Sequence, residues 1–390
     1  MKIIGIDNQE EKIEKQKTKK ILITTCITIA IIVVIILVCL YMGNKTFRDF
    51  MDKYVLMKNA TENNVTSISL EGLTGYEICA YDKYISILSQ NTLVGYNISG
   101  KKEYELTVEI SSPVIDSNGR FLLIGGKEKK RIYLISGDTI VWEKQLEGNI
   151  SRVNVNKNGY VSVVLTGTAY KSIIQTFDNT GKELFKIYLS NSMAVDSDIS
   201  SDNRYLSYAE VSTNGTLIQT IIKTIDIQKK EEIFNTTAPS NTMALNLKYQ
   251  DGNKLLCMYD NSIHCIQNGN DEEIINLLQE KEKISFAEIE LNNYIMRIIE
   301  KNVLLNTEST IELTNTNNKR INLYTTNNIV KEVYTYDNKI ALNLGSEVDF
   351  IGTNGWLIKR YISSQEVRKI LMNPNFAGIV YRSKIEIVEL

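Results

Sequence analysis

The chain has 390 residues, with 44 Lys and Arg against 46 Asp and Glu, for a formal net charge of −2. That balance argues against nucleic acid as a partner, since binding phosphate requires a basic face. The length suffices for one large domain or two medium ones. Asn, Lys and Ile are abundant and Pro is scarce at three residues, a bias that fits an AT-rich bacterial genome.

The first predicted element is the run Ile21–Met42. These 22 residues carry no charge, and fourteen are Ile, Leu or Val. As a helix the run is roughly 33 Å long, enough to cross a hydrocarbon core of about 30 Å. A core helix rarely stays apolar on every face over six turns. A cleaved leader has a shorter apolar region that ends at a small-residue site, and Tyr41-Met42-Gly43-Asn44-Lys45-Thr46 has no such site. Residues 21–43 are therefore expected to span a lipid bilayer as an uncleaved anchor. Lys12, Lys15, Lys17, Lys19 and Lys20 precede the run, and only Lys45 and Arg48 closely follow it. The positive-inside bias places a basic tail, 1–20, in the cytoplasm and the rest outside the plasma membrane.

A stem, 44–64, follows. Phe47, Phe50, Met51, Tyr54 and Val55 lie at i, i+3, i+4, i+7 and i+8, the spacing of one apolar stripe on a helix.

From residue 65 to 390 the text reads as strands. Runs of five to eight residues alternate apolar and polar, broken by Gly, Asn and Asp. A polar turn followed by a buried strand recurs, as in Ser117-Asn118-Gly119-Arg120-Phe121 and Lys157-Asn158-Gly159-Tyr160-Val161. Its anchors are positions 82, 118, 158, 202, 251, 292, 337 and 373, spaced 36 to 49 apart. Asp, Asn and Gly recur there because a tight hairpin needs residues that tolerate positive φ. A period near 40 made of four short strands is the signature of a β-propeller. The fold class is thus all-β, with eight blades; seven is the alternative count, because the fifth and sixth units are the least regular. The last unit holds only three strands, and Thr66–Leu70 is the expected fourth, closing the ring. A second turn recurs before the outermost strand in four units, with an aromatic after its glycine: Gly100 and Tyr104, Gly137 and Trp142, Gly181 and Phe185, Gly355 and Trp356. Packing between blades is the expected role of these aromatics, with a ligand box as the alternative.

Around Asp178-Asn179-Thr180-Gly181 and Phe185 the units resemble propeller repeats of the pyrroloquinoline-quinone (PQQ) type, and by layout those of the WD40 type. The stem Phe47-Arg48-Asp49-Phe50-Met51-Asp52-Lys53-Tyr54, followed by Glu62-Asn63-Asn64-Val65, resembles a bacterial family classed as a domain of unknown function. That resemblance implies a short cytoplasmic tail, one membrane helix and an external propeller. It implies no activity.

Candidate chemistry is sparse. The single histidine, His264, supplies neither a zinc cluster nor a hydrolase triad by itself. Neither GxGxxG nor GxxxxGK[ST] occurs. Asp196-Ser197-Asp198 and Asp116-Ser117-Asn118-Gly119 offer calcium-type oxygens without the twelve-residue loop, so turn formation is the better account of both. Cys257 and Cys265 flank Asp260-Asn261-Ser262 and face each other if three residues form that loop, but two separately packed side chains are the favoured reading, and the fold is not expected to depend on a disulfide. No catalytic, cofactor-binding or metal-binding residue is assigned, and no cofactor is expected. The expected function is a membrane-anchored binding or scaffold module for an envelope protein or surface polymer, more a binder than an enzyme. The first alternative is a lactonase-, lyase- or quinone dehydrogenase-like enzyme working in the central channel. The second is a sensor that signals through a separate membrane partner.

Overall fold

A computed structural model describes residues 4–56, 58–61, 65–212, 214–278, 283–303, 306–317 and 319–390. It divides into two compact units, Met1–Asn59 and Ala60–Leu390.

The first unit is helical. Helix α1 runs without a break from Ile4 to Gly43, so the basic stretch is part of the same rod as the apolar run. Its portion Lys19–Gly43 is long and apolar enough to cross a membrane, and none of it is buried. Thr24, Thr25 and Thr28 each donate their hydroxyl to the carbonyl four residues back at 2.9 Å. This satisfies three polar groups inside an apolar helix. Asn44 adopts an extended conformation and caps helix α2, Lys45–Phe50, by accepting from the Phe47 N–H. One π-helical turn, Met51–Val55, follows. Within the stretch 44–64, helical structure stops at Val55, Asn59–Thr61 is a short strand, and 62–64 lie outside the described residues.

The second unit is an eight-bladed propeller. The blades cover residues 77–107, 113–145, 149–189, 193–237, 244–276, 283–326, 332–362 and 369–389. Blades 1 to 7 are meanders of four antiparallel strands, each running outward from an inner strand at the axis, and the seventh sheet gains the short strand Asn59–Thr61 as a fifth. Blade 8 takes its outermost strand, Thr66–Ser69, from the start of the ring. That strand pairs antiparallel with Lys384–Glu389, in register Thr66↔Ile387 to Ser69↔Lys384. Eight blades and this closure agree with the sequence reading.

The strand patterns follow from the architecture. The second and third strands of a blade are covered on both faces by neighbouring blades, so they are buried on both sides and mostly apolar, as in Tyr84–Leu88, where all five residues are buried and only Ser86 is polar. Outer strands see solvent on one side and alternate, as in Lys102–Thr107. The core is correspondingly a set of wedges. Each of the eight blade junctions holds one apolar cluster, for example Leu134, Trp142, Val163 and Phe177 between blades 2 and 3.

Three of the four aromatics after the second turn pack into these wedges. Tyr104 and Trp142 are buried, Phe185 is partly buried, and Trp356 is 49% exposed. Trp142 lies against Gly181 of the next blade so closely that a Cβ there would sit 2.8 Å from the indole. Gly181 also has φ +83°, so both sterics and backbone require glycine.

The Cys257–Cys265 pairing does not form, and all five cysteines are free thiols. The hairpin turns on two residues, not three, which sets Cys257 opposite His264 and Cys265 opposite Leu256. A one-residue slip reverses the face on which a side chain lies. Cys257 therefore packs toward blade 4 and Cys265 toward blade 6.

Candidate functional site: the channel and its rim

The recurring polar turns join the first and second strands of each blade, so the ring gathers them at one end of the central channel. Their strained positions are left-handed, as their composition requires. Asp82, Gly119, Gly159, Asn203, Asn253, Asn293 and Asp337 all have positive φ between 48° and 81°. The turn at Asn373-Pro374-Asn375 has none. Neighbouring turns are tied together. Asn158 Nδ2 donates to the Ser201 carbonyl at 2.7 Å, Asn253 Nδ2 to Asp202 Oδ2 at 2.7 Å and Asn292 Nδ2 to Asp251 Oδ2 at 3.3 Å. Lys157 Nζ bridges from blade 3 to Asp251 of blade 5 at 3.7 Å. The mouth is thereby held as a rigid rim.

Behind the rim lies a cavity of about 860 Å³, open to solvent. Its wall is the row of inner strands. Seven carboxylates line it (Glu77, Asp116, Asp198, Asp251, Glu288, Glu290 and Asp337) against the ammonium groups of Lys157, Lys248 and Lys369. The lining is therefore strongly acidic although the whole chain is close to neutral.

At the centre of the wall, Lys248 Nζ is 2.8 Å from Glu290 Oε2, and Asn246 Nδ2 donates to Glu290 Oε1 at 2.9 Å. Burial opposes the charge on both partners. The carboxylates of Glu290, Asp198 and Asp116 nevertheless raise the Lys248 pKa above its usual value, and Lys248 and Asn246 hold Glu290 below its own. The remaining carboxylates behave oppositely. Burial pushes Asp198 and Glu288 up to about 7 and Asp116 up to about 6. Lys248 lowers all three and Glu290 raises them. The channel thus holds one firmly ionised pair surrounded by acids that titrate near neutrality.

These acids also join blades. Asp116 Oδ2 accepts from the Val155 N–H at 2.7 Å, linking blades 2 and 3. Asp198 Oδ2 accepts from the Tyr249 N–H at 2.8 Å, and Asp196 Oδ2 from the Leu247 N–H at 2.9 Å, linking blades 4 and 5. The Thr335 hydroxyl donates to Glu288 Oε1 at 2.6 Å, linking blades 6 and 7.

The candidates read from sequence separate here. Asp116 and Asp198 lie on inner strands and line the channel, whereas Gly119 belongs to the rim. No grouping of three or more His, Cys, Asp or Glu suited to a metal ion occurs among the described residues. His264 stands away from the channel, with Nδ1 2.8 Å from Asp271 Oδ1 and its ring edge-on to Tyr259. Cys79 lines the cavity, but burial raises its thiol to about 12, leaving little thiolate at neutral pH. Sequence reasoning missed Lys248, Glu288 and Glu290. Their signal is an ionisable residue two to four positions ahead of the recurring turn, shared by Asp116, Asp198 and Lys369.

A family model matches residues 53–390. The chain belongs to the family of unknown function DUF5711. The match covers the whole ring and begins inside the stem, so the ring carries most of the membership and Phe47–Asp52 contribute nothing to it. The sequence matches no curated protein. Among solved structures, the chain is similar to the C-terminal WD40 domain of Sif2, with 14% identity, 83% of this chain and 99% of that one covered, and a TM-score of 0.54. It is similar to Chaetomium thermophilum Sqt1 bound to the N-terminus of ribosomal protein L10, with 10% identity, coverage of 83% and 99%, and a TM-score of 0.51. BamB from Moraxella catarrhalis matches with 12% identity, coverage of 84% and 97%, and a TM-score of 0.47. At such identities the likeness is one of fold.

Proposed function

We propose that this DUF5711 protein is a bacterial, membrane-anchored binding module whose propeller recognises a basic segment of an envelope protein at its channel mouth. The observation that carries this reading is the acidic channel behind a rigid rim. Seven carboxylates against three ammonium groups in a walled cavity focus a negative potential. That potential attracts Lys- or Arg-rich chain and repels nucleic acid and anionic surface polymers, so a protein partner is favoured over a wall polymer. Sqt1, a propeller of similar fold, is seen with a protein terminus bound, which supports the reading by analogy of fold only.

In this reading residues 21–43 cross the plasma membrane, the basic tail stays in the cytoplasm and the ring stands outside. An alkaline phosphatase fused after Leu390 is then active. An inactive fusion overturns the orientation.

Binding is tested with the detergent-solubilised full chain immobilised in envelope extract. Retained protein is expected to elute as salt rises and to be displaced by an oligolysine peptide. Retention insensitive to both, or no retention, contradicts the reading.

A second reading rests on the split among the channel acids. Glu290 stays ionised while Asp198 and Glu288 titrate near 7, the division of labour that general acid–base catalysis uses. If the channel is an active site, Glu288→Gln abolishes turnover of a substrate while leaving capture of the partner intact.

A further inference from the structure

The stem unit contains a polar triad centred on a buried carboxylate. Tyr41, near the end of the apolar run, donates its hydroxyl to Asp52 Oδ1 at 2.6 Å. Lys58 Nζ lies 2.9 Å from Asp52 Oδ1 and donates to the Tyr41 hydroxyl at 3.0 Å. Asp52 is 3% exposed. Tyr41 and Asp52 are eleven residues apart, and on a straight helix that separation is roughly 16 Å, beyond the joint reach of the two side chains. The contact exists because the chain turns at Asn44, the one extended residue between α1 and α2. Tyr41, Asp52 and Lys58 therefore lock an elbow between the membrane-capable helix and the stem. Leaving Asp52 without its partners would strand a buried charge, so the lock is all-or-none.

The lock fixes which way the stem faces. With Asp52 turned toward Tyr41, the residues presented outward are Phe50, Tyr54, Val55 and Leu56, which are 53%, 60%, 54% and 50% exposed. Phe50 and Tyr54 lie one turn apart with ring centroids 5.3 Å from each other. Four large apolar or aromatic side chains on ten or so residues of water-facing helix are anomalous. They are the expected composition at the boundary of headgroups and acyl chains, where Phe, Val and Leu bury apolar surface and Tyr buries its ring while its hydroxyl stays wet. The apolar run ends at Met42, two residues before the elbow, so this face begins where a spanning helix leaves the hydrocarbon.

We propose that the stem, 45–56, is an interfacial seat: its Phe50–Tyr54–Val55–Leu56 face lies in the lipid surface, and the Tyr41–Asp52–Lys58 lock holds it at a fixed angle to the spanning helix. The occupant of this face is lipid, a second copy or another protein being outcomes of the test. The proposal rests on the reading of residues 21–43 as a membrane anchor.

The test uses the full chain with Phe50→Trp, reconstituted in phosphatidylcholine–phosphatidylglycerol vesicles, with Val55→Trp as a second reporter. Emission from Trp142 and Trp356 is subtracted using the unaltered protein. The introduced indole is expected to emit blue-shifted and to lose most of its emission to brominated acyl chains while resisting aqueous iodide. In a Phe50→Trp/Asp52→Asn double variant the quenching by brominated lipid weakens, because the elbow is unlocked. Quenching by iodide instead overturns the proposal, and so does shielding from both quenchers, which reports a protein cover. Alkaline carbonate separates the two claims. Protein that stays with the vesicles but shows no lipid quenching refutes the seat alone, whereas protein that is extracted refutes the anchor and the seat with it.

Discussion

The blade junctions and the channel wall are built from the same eight sheets, yet their chemistry is opposite. At the junctions, second and third strands meet face to face and bury mainly Ile, Val, Leu and aromatic rings, and the few charges there are paired, as where buried Asp349 of blade 7 accepts from the Tyr324 hydroxyl of blade 6 at 2.7 Å and from Arg360. At the axis the inner strands cannot close on one another, because eight blades leave a hole, and the residues facing it are Asp, Glu and Lys. Stability is therefore stored between blades, and recognition is free to occupy the centre. Substitutions in the wedges should act on folding, and substitutions in the channel on charge and binding.

The largest break in that division comes from opening the ring. Deleting residues 383–390 removes the strand that pairs with both Phe376–Val380 and Thr66–Ser69 and exposes two sheet edges. Loss of the whole cooperative β transition in far-UV circular dichroism is expected. A truncation that melts like the intact chain contradicts a closed ring.

A wedge truncation comes next. Phe350 is fully buried between blades 7 and 8, and Phe350→Ala should cost about 3–5 kcal/mol, readable by urea unfolding. An effect below about 1 kcal/mol would show that the wedges are loosely packed.

Lys248→Met sharpens the comparison from the other side. It removes the ammonium group that stabilises the charges on Glu290, Asp198 and Asp116. The channel is solvated and the Glu290 side chain is 37% exposed, so the loss should be only about 1–2 kcal/mol, smaller than that of Phe350→Ala. The same variant should raise the pH at which the channel acids titrate.

The smallest effect is one of pH. Asp116, Asp198 and Glu288 titrate at about 6, 7 and 7 in the folded ring, well above ordinary carboxylates. The folded state then binds protons that the unfolded chain releases, so stability rises as pH falls from about 8 to about 5. Asp198→Asn, which keeps an oxygen able to accept from the Tyr249 N–H, should flatten this slope and raise the melting temperature above neutrality. A variant with the same slope as the unaltered protein would show that Asp198 titrates normally.

Much of the ring was legible in sequence because left-handed turns leave a compositional trace. Asn118-Gly119, Asn158-Gly159 and Asp337-Asn338 mark the ends of inner strands wherever positive φ is needed. The closure was legible because the last unit is one strand short. The channel was not. Each blade contributes only one or two ionisable residues at intervals near 40, and only ring closure brings Asp116, Asp198, Lys248 and Glu290 around one cavity. Whether Cys257 and Cys265 face each other was not legible for a local reason, since one residue more or less in a hairpin reverses the face. The stem stripe was visible in sequence, but the burial of Asp52 was not, because its partners Tyr41 and Lys58 lie beyond a helix break.

The central claim is that the channel recognises and the wedges hold. It is tested most directly by capture of the envelope partner on a full-length variant carrying Asp116→Asn, Asp198→Asn, Glu288→Gln and Glu290→Gln, at a temperature where circular dichroism shows it folded. The account predicts that capture is lost while the variant still unfolds in one cooperative transition, its melting temperature lowered by no more than the loss of the Lys248–Glu290 pair requires. Undiminished capture by this neutralised channel would contradict it.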